Sequence, residues 1–371
     1  MRIVDPLLPV FADDFGTTVG RAGLIITAYS LPYGLFVLCY GPLGDRFGKL
    51  RVIISTMAVS ASCIFMCGFS ESLSNLIFWR FLTGVSSAAV VPLSLAFIGD
   101  SFPLAERQKA LAGYMSGVIL GQIAGAGLGG IFADFAGWRM LFWAYGVLTA
   151  LVAVAVWCGS RQLVLPAHPT AGLRGTLVRF RTIFEHRAGR EVMTAVFLEG
   201  LLLFGGSAFI GAMLHDQYAL SLTGVGLLLI CIGAGSLLYT TLVGWLVRAV
   251  GQRRMIALGG ALMTACFLGL AHSQRWQVAA PLLLLLGFAI YLMHNTLQTF
   301  GTELAPEARG TSVSLMVFLL FAGQAIGAFC LGHAIDRLGY ALSYTVIALA
   351  LGLLGWWLQG TRALIRGLHT T

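Results

Sequence analysis

Long apolar blocks broken by short polar turns dominate this chain. They fall near 20–43, 51–70, 74–99, 108–133 and 138–158, then, after a polar stretch, near 191–214, 222–247, 254–272, 277–300, 309–334 and 340–359. Each is about 20 residues long, the length an α-helix needs to cross a bilayer core. The pattern predicts eleven full spans. Ahead of them, Arg2 to Phe11 followed by the polar Asp13 and Asp14 reads as the second half of a twelfth, its first half absent. A start that was cut or assigned late is the expectation, because an aspartate and a free amino terminus are expensive at membrane depth without a surrounding bundle.

Residues 41–51 read Gly-Pro-Leu-Gly-Asp-Arg-Phe-Gly-Lys-Leu-Arg, a charged turn between two apolar runs. Such a turn belongs at a membrane surface and makes the flanking spans a hairpin. Lys and Arg then set the sidedness. One side carries Arg46, Lys49, Arg51, Arg107, Lys109, Arg248, Arg253, Arg254, Arg309, Arg362 and Arg366, with six further arginines in 159–190. The other has Arg21, Arg139, Arg275 and Arg337 near helix ends, and Arg80 lies within a span. The rich side is predicted to be cytoplasmic, and with it the C-terminus and a linker at 159–190. Pro166, Pro169, Gly172 and Gly175 keep that linker from forming one continuous helix.

Composition agrees with a membrane bundle. Hydrophobic residues make up 58% and charged residues 10% of the chain, against roughly 45–50% and roughly 25% in soluble domains. The net charge of +8 does not indicate a nucleic-acid partner, because the basic residues sit in short loops rather than along one face. The seven cysteines all lie in apolar segments and show no redox or zinc spacing, so they read as small packing residues. No basic start leads into an apolar stretch and a cleavage site, so a cleavable signal peptide is not expected.

The two sides of the linker repeat each other. At an offset of 202, Gly121-Gln122 meets Gly323-Gln324, and Gly125-Ala126 meets Gly327-Ala328. The register continues through Gly130 and Gly332, Asp134 and Asp336, Gly137 and Gly339, and backward to Arg107 and Arg309. At an offset of 203, Gly41, Leu43, Gly48 and Arg51 meet Gly244, Leu246, Gly251 and Arg254. One register across charged and apolar positions alike implies a duplicated six-helix unit, an arrangement found in transporters. The expected organisation is an N-terminal half at 1–158, the linker at 159–190 and a C-terminal half at 191–371.

With these residues in view, the chain resembles the major facilitator superfamily over its whole length, and within it the twelve-helix, proton-coupled efflux members. The 41–51 turn is similar to that family's loop of the form Gly-x-Leu-x-Asp-Arg-x-Gly-Arg-Lys between helices two and three. Gly137-Trp138-Arg139 and the stretch from Leu304 to Gly310 are further familiar turns. The resemblance implies an all-α integral membrane bundle of two six-helix halves, with the first helix truncated. It also implies that Asp45 meets the start of helix eleven as a conformational latch, in a gating motif with Gly41, Gly44, Arg46, Gly48, Lys49 and Arg51. The bland alternative is a solvated turn that needs its basic residues but not Asp45. Arg248 stands where the second copy would carry that aspartate.

Gly113, Gly117, Gly121, Gly125 and Gly129 recur every four residues along helix five, a stripe that lets another backbone approach. It resembles the glycine-rich helix-five motif of the family's antiporters, although Ala126 occupies its proline position. Helix packing and a role in exchange are both open readings.

Ionisable groups within spans are the sharper clues, since each is costly unless paired or wet. Asp5, Arg80, Glu199 and His294 fall one each on helices one, four, seven and ten, the helices that line the central cavity in the family fold. Glu199 lies too deep to snorkel easily and suits a group that takes and releases a proton, or else a static buried hydrogen bond. Asp5 stands beside Pro6, its depth open. Arg80 matches the family's helix-four arginine, with Thr83 in place of the usual glutamine, and serves coupling or snorkels. His294 with Asn295 and Gln298 forms a polar patch, and an imidazole titrates near neutral pH. A hydrogen bond to a neighbouring helix is the other reading of His294. Tyr29, Tyr33 and Tyr291 contact substrate, pack or face lipid.

No metal-ligand cluster, nucleophile constellation or phosphate loop is expected, so neither an enzyme nor a cofactor is predicted. The leading reading is a monomeric transporter of the bacterial inner membrane that exports small organic molecules in exchange for protons. Proton symport for uptake and a non-transporting receptor or scaffold with the same fold stand as alternatives.

Overall fold

A computed structural model of the chain describes residues 2–160, 180–303 and 309–361. Among them the regular structure is helical throughout. A short 3-10 turn, Arg2–Leu7, runs into helix α1, Leu8–Asp14. The spans that follow are α2 (Val19–Phe47), α3 (Lys49–Cys67) and α4 (Leu73–Ser101). A continuous run from Leu104 to Ser160 leaves helical geometry at Gly137 and so makes α5 (104–136) and α6 (138–160). In the second half come α7 (Arg187–Tyr218), α8 (Leu222–Ala249) and α9 (Gln252–His272). Next is α10 (Ala279–Glu303). A run broken at Gly339 then supplies α11 (309–338) and α12 (340–360). The eleven expected spans are present, with the part-helix ahead of them.

Two boundaries differ from the sequence reading for one physical reason. The segment from Gly41 to Phe47 is helical, so the hydrophilic turn shrinks to Gly48 alone. The second repeat does much the same, with only Val250 and Gly251 between α8 and α9. A helix crossing from lipid into water has no reason to end where its side chains become polar. It ends where the backbone must reverse, which here takes φ of +91° at Gly48 and +81° at Gly251. The bends between α5 and α6 and between α11 and α12 use φ of +78° at Gly137 and +76° at Gly339. These conformations are close to glycine-only.

Side-chain contacts repeat as well. Asp14 accepts a hydrogen bond from the Trp138 indole at 2.6 Å, tying the end of α1 to the start of α6. Asp216 accepts one from the Tyr340 hydroxyl at 2.6 Å, tying the end of α7 to the start of α12. Phe11 packs edge-on against Trp138 with centroids 5.1 Å apart, which seats the part-helix in the core. Leu7, Leu8 and Phe11 are fully buried. The outer face is strongly apolar: Phe135 is 83% and Trp356 74% exposed, placements suited to lipid and not to water.

Candidate functional site

Helix α7 is not a uniform α-helix. It is α-helical from Arg187 to Glu199, widens into a π-helical turn over Gly200–Phe204, and resumes a regular course from Ile210 to Tyr218. Single π turns inside α-helices concentrate at functional positions. Glycines set this one against α11 with almost no gap. A Cβ on Gly200 would lie 2.1 Å from the Leu320 carbonyl oxygen, and one on Gly327 would lie 2.0 Å from that of Leu201. Glu199, the last residue before the π turn, is thereby held at the centre of the C-terminal half.

Glu199 is completely buried. Its Oε2 lies 3.1 Å from His294 Nδ1 on α10. Its Oε1, also buried, has no hydrogen-bond partner among the described residues. A buried carboxyl oxygen without a partner is an unfavourable arrangement. The imidazole sits between Phe204 and Tyr291, with centroids 5.5 and 6.4 Å away. Unlike Glu199 it is partly open, with its side chain 24% exposed.

That opening leads into a cavity of about 180 Å³ between the halves. Asp5, Gln122, Ser236, Tyr291 and His294 supply its polar lining, and Phe204 with aliphatic side chains supplies the rest. Asp5 itself is buried, and its turn packs tightly on α7: a Cβ on Gly211 would lie 2.7 Å from the Asp5 carbonyl oxygen. The site is therefore a closed carboxylate–imidazole pair opening on a small amphipathic chamber that a second carboxyl group faces.

Three of the four ionisable residues singled out in the sequence thus converge. Arg80 stands apart, within the N-terminal half. It is 2% exposed, its guanidinium carbon lies 4.5 Å over the Tyr29 ring, and Nε and Nη2 have no partner among the described residues. Gly84, one turn further along α4, permits this by letting α4 close on the Tyr29 backbone. Asn295 donates to the Tyr239 hydroxyl at 3.0 Å and so ties α10 to α8. Gln298 is exposed and lies outside the chamber's described lining.

At the other end of α2, Asp45 lies 3.5 Å from Lys49, which also bonds Asp100 at the end of α4. The expected counterpart of Asp45, the start of α11, falls at residues 304–311, whose side chains lie outside the described residues. The glycine stripe of α5 needs a correction. Gly125 and Gly129 do approach the backbone of Ile3, whereas a Cβ on Gly113, Gly117 or Gly121 would meet nothing within 4 Å among the described residues. In the second half, the equivalents of Gly121 and Gly125 pack on the first part of α7, and residues 2–14 include no counterpart of that segment.

Sequence reasoning missed Ser236, Gln122 and the π turn. A lone serine in an apolar helix carries no signal. Gln122 stands in the repeated Gly-Gln pair, and Gly200 with Gly205-Gly206 brackets the widened turn; both were visible without announcing their role.

Comparison with known proteins gives the chamber its context. The sequence profile of the Major Facilitator Superfamily matches residues 1–328. The chain is 26% identical over 358 residues to YceJ, an uncharacterized MFS-type transporter of Bacillus subtilis (strain 168), covering 95% of this chain and 90% of that one. It is 28% identical over 363 residues to YgaY, an uncharacterized transporter of Escherichia coli O157:H7, with the same coverage of 95% and 90%. Among solved structures it shares its fold with the nucleoside transporter NupG, at a TM-score of 0.81 and 11% identity over 96% of this chain and 95% of that one. A helical membrane bundle with this profile match belongs to the major facilitator superfamily, and the chain is a secondary transporter of small substrates.

Proposed function

We propose that this protein is a proton-coupled exporter of small organic molecules, in which Glu199 with His294 carries the proton. The observation that carries the reading is the pair itself: a fully buried carboxylate with one oxygen on an imidazole and the other unmatched. Protonating it removes a charge from a buried site, and an imidazole open to the chamber gives the proton a path. Asp5 lines the same chamber, so cargo and proton share one space and compete for it, which is the logic of exchange. The gating role of Asp45, the cytoplasmic placement of the basic face and a monomeric state belong to the same reading.

Uptake by symport is the second reading. One observation favours it: α5 runs unbroken through Ala126, where the antiporter motif has its proline, and leaves helical geometry only at Gly137.

Inverted membrane vesicles energised to an acid interior separate the readings. Organic cations, sugars and amino-acid-like compounds are added in turn, with wild type compared against Glu199→Gln. Compound-triggered proton efflux that is lost in the variant supports coupled export. Efflux that persists unchanged in the variant removes Glu199 as the carrier. In intact cells, cytoplasmic acidification on adding external compound would overturn export in favour of uptake.

A further inference from the structure

The halves meet along two seams related by the internal repeat, α5 against α8 and α11 against α2. At the end of the first seam, Asp134 accepts hydrogen bonds from the N–H groups of Leu222 at 3.2 Å and Thr223 at 2.7 Å, the first two residues of α8. Ser221 caps the same helix from within, accepting from Gly224 at 3.1 Å. At the end of the second seam, Asp336 accepts from the Gly20 N–H at 2.9 Å and the Thr18 hydroxyl at 2.6 Å. Thr18 in turn caps α2 by accepting from Arg21 at 3.2 Å. Asp134 and Asp336 are equivalent positions of the repeat, and so are Leu222 and Gly20, on which they act. One turn before each aspartate a glycine brings the backbones together: a Cβ on Gly130 would lie 2.1 Å from the Leu222 carbonyl oxygen, and one on Gly332 would lie 2.6 Å from that of Gly20.

Each helix already has its own capping hydroxyl, so the carboxylates add something other than ordinary capping. They bring negative charge from the opposite half to a helix N-terminus, where unpaired N–H groups and the helix dipole favour it. Both aspartates are exposed. Water therefore takes over both partners when the halves part, and no charge is stranded in lipid. Further contacts continue the second seam inward, with Thr27 bonded to the Ala325 carbonyl at 3.1 Å and Tyr33 4.3 Å from Phe321.

We propose that Asp134 and Asp336 form a paired latch that holds the end of the bundle opposite the Gly41–Arg51 segment closed, and that both bonds break each time the transporter opens there. The device is independent of which way protons move. It explains why two aspartates keep register across a repeat that has diverged at most other positions.

Hydrogen–deuterium exchange on the full chain in lipid nanodiscs tests it, comparing wild type with Asp134→Asn, Asp336→Asn and the double variant. Each single substitution is expected to speed exchange of the deep seam amides at 27–34 and 226–233 about three- to tenfold, with the double variant exceeding either. The opposite ends of α2 and α5, at 42–47 and 108–116, should exchange more slowly as the bundle closes there. Faster exchange confined to the first turns of α2 and α8 would reduce both aspartates to local caps and overturn the latch. So would a uniform rise across the chain, the signature of lost stability. If the double variant does not accumulate, the two single variants carry the same test.

Discussion

The two oxygens of Glu199 have different fates, and the difference separates a structural role from a coupling one. Oε2 is held by His294 while Oε1 is buried without a partner. Replacing Glu199 by Gln keeps a group able to bond the imidazole and removes the charge, so stability should change by no more than about 1 kcal/mol. Replacing His294 by Ala leaves both carboxyl oxygens buried and unmatched, at a cost of about 2–3 kcal/mol. Thermal unfolding in detergent should therefore rank Glu199→Gln near wild type and His294→Ala well below it. The reverse order would mean that the carboxylate charge holds the fold together. The sequence displayed both residues, since an ionisable group in an apolar run is conspicuous. It did not display their bond, which spans 95 positions and depends on the rotation of α7 and α10 about their axes. For the same reason the sequence does not separate Arg80 from the chamber residues, although Arg80 rests on Tyr29 inside the N-terminal half.

At the scale of elements, the repeat was legible and its uses were not. The glycine stripe of α5 reads as a packing seam, yet at the repeated pairs Gly121/Gly323 and Gly125/Gly327 the tighter approach is made in the second half. Gly323 on α11 is pressed against α7, where a Cβ would lie 2.2 Å from the Phe197 carbonyl oxygen, whereas a Cβ on its equivalent on α5, Gly121, would meet nothing within 4 Å among the described residues. A methyl group at Gly323 must push two backbones apart, because a carbonyl has no rotamer through which to yield. Gly323→Ala should cost about 1–3 kcal/mol of stability and disturb the π turn that carries Glu199. Gly121→Ala should be neutral or slightly stabilising, alanine being the better helix former. Thermal shifts of the two purified variants check this directly, and equal losses would show that the N-terminal glycines are packed after all. Helix ends followed the same rule. Polarity located them to within a few residues, but the positive φ of Gly48 and Gly251 decided where each chain reversal occurs.

At the scale of the whole molecule, transport requires that neither open state be too stable, and the aspartates of α2, α5 and α11 bear on that balance. Asp134 and Asp336 hold one end closed in this structure. Asp45, beside Lys49 at the opposite end of α2, is the opposing latch of the proposed mechanism, favouring the other state once that end of the bundle closes. If the two devices oppose each other, removing both should restore what removing either one disturbs. Asp45→Asn alone should slow exchange at the deep seam amides, and Asp134→Asn with Asp336→Asn should speed it. The triple variant should return toward wild type, with the separate effects adding because the sites share no contacts. Transport should follow the same course, reduced about three- to tenfold by either set and partly recovered in the triple variant. Recovery is the informative result, since independent damage to folding only accumulates, whereas opposing shifts of one equilibrium cancel. A triple variant slower than both parents would mean that Asp45 and the paired aspartates do not act on the same two states.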